Sequence, residues 1–106
     1  MSEKRYHKLV RDRIPEIIEA AGSQCCWRAM DAAEYQRMVD EKLQEELAEY
    51  LEAGDVCELA DLLEVVYAAA AVRGCSEDAL NAIRQQKAAE RGAFAQRILL
   101  ESVTKP

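Results

Sequence analysis

The chain has 106 residues, half of them hydrophobic, and a formal net charge of −6. That length leaves room for one domain, 1–106, with one core. The charge would repel phosphate backbones and anionic headgroups, so neither a stable nucleic-acid complex nor a membrane partner is expected. With only four glycines and two prolines in a chain rich in Ala, Leu, Glu, Gln and Arg, the predicted fold class is all-α. The expected architecture is a small antiparallel bundle of about four helices.

The N-terminus is charged from Glu3 onward and carries no visible signal peptide. Residues 4 to 14 mix bases with apolar side chains and lead into Pro15, a favoured first helical residue. A short helix is predicted from about Pro15 to Ala21, with Ile14, Ile17 and Ile18 inward and Gly22 as its stop. Gln24 to Met30 reads as a connector, extended in part. Asp31 is placed as an N-cap, and Glu34 three residues later makes a capping box for a long helix running to about Ala53. Tyr35, Val39, Leu43, Leu47 and Tyr50 recur along it at helical spacing and define an inward stripe.

Gly54-Asp55 marks a tight break before a helix predicted from Val56 to Arg73. Its stretch from Leu59 to Val72 is too short, and too interrupted by Asp61 and Glu64, to span a membrane. Leu59, Leu63, Val66 and Ala70 share one face, whereas Glu58, Asp61, Val65 and Val72 share another. The run Ala68 to Ala71 permits close approach of a neighbouring helix or subunit. Ser76 is an N-cap for a last helix reaching about Arg91, with Leu80, Ile83 and Lys87 on one face and Gly92 ending it. Phe94, Ile98 and Leu99 are expected to close the core. Cys25, Cys26, Cys57 and Cys75 lack paired metal-site spacing, and with the single histidine at His7 they read as reduced thiols of a cytoplasmic protein.

The chemistry sits in two acidic clusters, Glu45-Glu46-Leu47-Ala48-Glu49 and Glu58-Leu59-Ala60-Asp61. With Leu43 at the origin of a wheel of about 100° per residue, Glu46 falls at about −60° and Glu49 at about −120°, flanking the apolar stripe, whereas Glu45 falls at about −160° on the outer face. Glu58 and Asp61, three apart, face one direction. Antiparallel packing of the two helices would bring the pairs together, and four mutually repelling acids demand compensation.

Oxygen-only ligands suit Mg²⁺, with Mn²⁺ also possible, far better than Zn²⁺. Magnesium commonly meets substrate phosphates, so the natural chemistry is hydrolysis of a phosphate anhydride, with a spare carboxylate orienting the attacking water. Lys8, Arg11, Arg13, Lys87 and Arg91 are the candidate phosphate contacts. Tyr6, Trp27 and Tyr50 are available to stack on a base, although each is as readily a packing residue.

The ordered pattern of Glu45-Glu46-x-x-Glu49 followed by Glu58-x-x-Asp61 resembles the metal site of the MazG-like, all-α nucleoside triphosphate pyrophosphohydrolase superfamily. The opening Lys8-Leu9-Val10-Arg11-Asp12-Arg13-Ile14-Pro15 is similar to a small-domain branch related to phosphoribosyl-ATP pyrophosphohydrolase. The later Lys87-x-x-x-Arg91-Gly92-x-Phe94 is similar as well.

The resemblance implies a homodimer or dimer of dimers that binds Mg²⁺ and splits a nucleotide substrate between its α and β phosphates. It implies Glu46, Glu49, Glu58 and Asp61 as metal ligands, and Glu45 as the remaining acid. Glu45 or Glu49 is the candidate catalytic base, with Lys87 and Arg91 first among the phosphate contacts, then Arg11 and Arg13, then Lys8. Two alternatives are phosphoribosyl-ATP as the substrate and a non-enzymatic helical domain that uses its acids to dock a basic partner.

Overall fold

Each helix of this chain is started and stopped by local chemistry that the backbone makes visible. The computed structural model describes residues 2–106. It contains α1 (Ile14–Ala20), α2 (Ala32–Ala53), α3 (Val56–Val72) and α4 (Glu77–Arg91), with no strand among the described residues. The fold class is all-α, a small bundle of helices. Among the described residues, no helix is long and apolar enough to cross a membrane.

Three of the four N-termini are capped by a side-chain oxygen that accepts an otherwise orphaned backbone N–H. Asp31 accepts from Glu34 N at 2.9 Å, Asp55 from Glu58 N at 3.0 Å and Ser76 from Ala79 N at 3.1 Å. The expected capping box at α2 is only half made. Instead of reaching back, the Glu34 carboxylate accepts two hydrogen bonds from the Arg28 guanidinium, at 2.7 and 2.8 Å. That fork holds the Glu34 carboxyl below its ordinary range, because the hydrogen bonds favour its ionised form.

Gly54 ends α2 at φ 71°, donating its N–H to Tyr50 O at 2.7 Å. A left-handed residue at this point lets the chain reverse within two residues, so α2 and α3 pack as an antiparallel hairpin. α4 then packs on α3, where Asn81 Nδ2 donates to the Tyr67 hydroxyl at 3.2 Å. Ala69 and Ala70, as small residues facing α4, leave an open groove of about 290 Å³ bounded by Leu43, Val66 and Leu80. α1 packs against none of the other helices.

The result is a chain with little interior of its own. Among the described residues Val39 is the single fully buried hydrophobic side chain. The radius of gyration is 18.8 Å, against about 13 Å for a compact chain of this length. The accessible surface is 9626 Å², against about 5,900 Å² for a compact monomer of this mass.

Several residues expected to face inward are therefore exposed. On α2, Tyr35, Val39, Leu43 and Tyr50 turn inward as expected, but Leu47 does not. Leu59 and Leu63 on α3, Ile17 on α1 and Ile83 on α4 are exposed as well. Phe94, Ile98 and Leu99 do not close the core: residues 93–106 form no helix, and Phe94 is 95% exposed. An apolar stripe records the need for a partner surface, and this single chain supplies that surface only between α2, α3 and α4.

Candidate metal centre

The tight α2–α3 turn places the second half of α2 beside the first half of α3. Both acidic clusters lie there. Glu45, Glu46 and Glu49 each offer a carboxylate oxygen within 4.8 Å of the others, and Glu46, Glu58 and Asp61 do the same. Glu46 belongs to both groups and is their junction. The structure thus brings together all five acids singled out in the sequence.

Glu46 is the unusual member, at 7% exposure. Its Oε1 forms an ion pair with Lys42 Nζ at 3.3 Å, while its Oε2 is buried with no hydrogen-bond partner. An ionised carboxylate oxygen left so is expensive, because it has lost its water and gained no donor in return. Glu49 lies close enough to share a proton with Glu46. Such sharing, followed by the Glu46 charge and by burial, raises the Glu49 carboxyl above its ordinary range. With both groups ionised the partner vanishes and only repulsion remains. Glu58 is raised too, first by burial and then by the charges of Asp55, Asp61 and Glu46.

Basic side chains offset part of this charge. Lys42 lies one turn before the acids on α2 and bridges Glu45 and Glu46, at 3.3 Å to each. Burial, the largest single influence on Lys42, pulls its ammonium down, but hydrogen bonds and charges from the two glutamates outweigh it and the net shift is upward. From the segment before α1, Lys8 reaches Glu45 at 3.7 Å and Arg11 reaches Asp61 at 2.8 Å and Glu64 at 3.9 Å. Lys8 and Lys42 also border a pocket of about 140 Å³ with His7, Leu9, Met38 and Glu45.

Glu45 therefore differs from its expected place on an outer, solvated face. The N-terminal segment folds over it, and two lysines hold it. Lys42 is not among the bases that the sequence motifs single out, although its spacing of three and four residues from Glu45 and Glu46 is the signal of a helical ion pair. Arg13 is not at the acids, because it pairs with Glu16 in the first turn of α1 at 3.3 Å. Lys87 and Arg91 are exposed on α4, and neither forms an ion pair or side-chain hydrogen bond with the acids among the described residues. Trp27 is exposed, and Tyr6 lies beneath the ammonium groups of Lys4 and Lys8 at 5.1 and 5.5 Å.

The four cysteines are free. The Cys25 thiol is pushed up by burial and then by the nearby Glu19 charge, which keeps it protonated and unreactive.

A divalent cation fits this donor set. All the ligand atoms are carboxylate oxygens, they come from two facing helices, and one of them is buried and without a donor. Hard oxygen donors in this number select Mg²⁺ or Mn²⁺ over Zn²⁺.

A stretch of 53 residues is 47% identical to an uncharacterised protein of Mycolicibacterium smegmatis; it covers 50% of this chain and 53% of that protein. The chain thus spans about half the length of this relative. No family model and no solved structure matches the chain.

Proposed function

We propose that this chain is a Mg²⁺-dependent nucleotide pyrophosphohydrolase of the MazG-like kind, cleaving its substrate between the α and β phosphates. The observation that carries this reading is Glu46 Oε2, a buried carboxylate oxygen without a donor where two carboxylate groups from α2 and α3 meet. Glu46, Glu49, Glu58 and Asp61 would hold the ions. Bound there, Mg²⁺ would neutralise phosphoryl oxygens and lower the pKa of an attacking water.

The remaining roles fall to the chain's own residues. Glu49 suits the acceptor of the water proton better than Glu45, which Lys8 and Lys42 already hold. Of the candidate phosphate contacts Arg11 and Lys8 lie nearest the acids, so they take precedence over Lys87 and Arg91 within one chain.

A homodimer belongs to the same proposal. The surface excess of about 3,700 Å² over a compact monomer accommodates the roughly 1,000–2,500 Å² that each chain contributes to an obligate interface. Leu47 and Leu51 on α2, with Val56, Leu59 and Leu63 on α3, are exposed beside the acids and are the face assigned to the second copy. The alternative of a non-enzymatic helical domain shares this surface but leaves the buried Glu46 oxygen without a purpose.

The test is pyrophosphate release from a panel of nucleotides that includes phosphoribosyl-ATP, with and without Mg²⁺. Hydrolysis that requires Mg²⁺ and is lost in folded Asp61→Asn and Glu58→Gln variants supports the reading. No hydrolysis and no metal binding would favour the interaction domain.

A further inference from the structure

The segment preceding α1 is tied across both acidic helices by countercharges. Lys8 reaches Glu45 on α2 at 3.7 Å, and three residues later Arg11 reaches Asp61 on α3 at 2.8 Å and Glu64 at 3.9 Å. Asp61 is one of the oxygens assigned to an ion, and its Oδ1 is the atom that Arg11 occupies. The guanidinium and a divalent cation thus compete for one carboxylate. We propose that Arg11 exchanges partners: it stands in for a cation on Asp61 while no ion is bound, and turns to the polyphosphate once the ion displaces it.

Three observations make Arg11 suited to this exchange. Its side chain is 55% exposed, and an ion pair in that setting is weak enough to release at little cost. It lies on a segment without helical structure, so its head can move without unpacking a helix. Its planar fork already spans two acids of α3 and is equally matched to two phosphate oxygens. A charge released beside a newly bound cation would meet the anion drawn there by that cation. Lys8 on Glu45 makes the same movement possible at the other end of the segment.

This inference rests on the metal-site reading above, and one experiment separates the two. Mn²⁺ binding is measured on the full chain without nucleotide by calorimetry or electron paramagnetic resonance, for wild type, Arg11→Gln, Arg11→Lys and Arg84→Gln. Arg84 lies on exposed α4 and provides the same change of charge away from the acids. Arg11→Gln should bind Mn²⁺ about two- to five-fold more tightly than wild type, since the competitor is gone. Arg11→Lys and Arg84→Gln should stay near the wild-type affinity. The Mn²⁺-loaded proteins are then titrated with inorganic pyrophosphate, and Arg11→Gln should bind it about tenfold more weakly.

Wild-type protein that binds Mn²⁺, with Arg11→Gln binding it equally or more weakly, overturns the exchange and leaves the metal site standing. Unchanged pyrophosphate affinity in Arg11→Gln overturns the exchange in the same way. Wild-type protein that binds no Mn²⁺ at millimolar concentration overturns both.

Discussion

Replacing Glu46 by Gln should reverse the stability order of two proteins according to whether a divalent ion is present. In the ion-free protein the buried Oε2 has no donor, a condition that costs about 1–3 kcal/mol for a buried polar atom. Glutamine removes the charge facing Glu49, Glu58 and Asp61 and supplies an N–H₂ that can donate to one of them. Set against this is the contact with Lys42 at 3.3 Å, which keeps an acceptor oxygen but loses its charge assistance, a loss of about 1 kcal/mol. The net is a gain of about 1 kcal/mol, or about 4–8 °C in Tm for a domain of this size. With Mn²⁺ at one hundred times its Kd, wild type should gain about 2.7 kcal/mol and the variant almost nothing. Thermal melts at one fixed protein concentration, in chelator and in Mn²⁺, read both values. A variant less stable than wild type in chelator, yet shifted equally by Mn²⁺, would refute the assignment of Glu46 as an unsatisfied ligand.

The pH dependence has a definite sign. Because the folded state raises the Glu58 carboxyl above its unfolded value, the folded chain holds that proton more tightly. Its contribution to stability is therefore present at low pH and lost as pH rises through the carboxylate range. In chelator the Tm of wild type should fall more steeply than that of Glu58→Gln between about pH 4 and 6, and parallel curves would contradict this. Leu63→Glu places a charge on the face assigned to the second copy and should weaken self-association about a hundredfold or more by sedimentation, with helicity unchanged by circular dichroism. Val39→Ala, at the one fully buried apolar position among the described residues, should cost about 2 kcal/mol in chemical denaturation. Gly54→Ala should cost about 1 kcal/mol in the same assay from backbone conformation, since its φ is 71° and an added Cβ would meet nothing.

The helices are legible in the sequence because their punctuation is local. Asp31, Ser76, Pro15, Gly22, Gly54 and Gly92 act through backbone groups a few residues away, and each boundary lies within about two residues of its expected place. Asp55, expected only as part of a break, is the N-cap of α3. The pairing of the carboxylates is legible too, since a two-residue turn leaves α2 and α3 few ways to pack.

What escapes the sequence is long-range. Nothing local tells that Lys8 and Arg11 fold back over Glu45 and Asp61, separated from them by α1 and a connector. The wheel that sets Glu45 on an outer face describes one helix alone, without the segment that comes to lie on it. The stripe residues Leu47, Leu59 and Leu63 mislead in another way: helical periodicity reports that a face is apolar, not whether its cover comes from the same chain.

The central claim is that α2 and α3 jointly hold divalent ions through four acids. A crystal grown with Mn²⁺ tests it by anomalous scattering. Manganese peaks are predicted within about 2.1–2.2 Å of carboxylate oxygens from Glu46, Glu49, Glu58 and Asp61, with Arg11 turned away from Asp61. Manganese bound elsewhere, or an acid cluster still bridged by Arg11 and Lys42 at saturating Mn²⁺ with no peak between the helices, would contradict it.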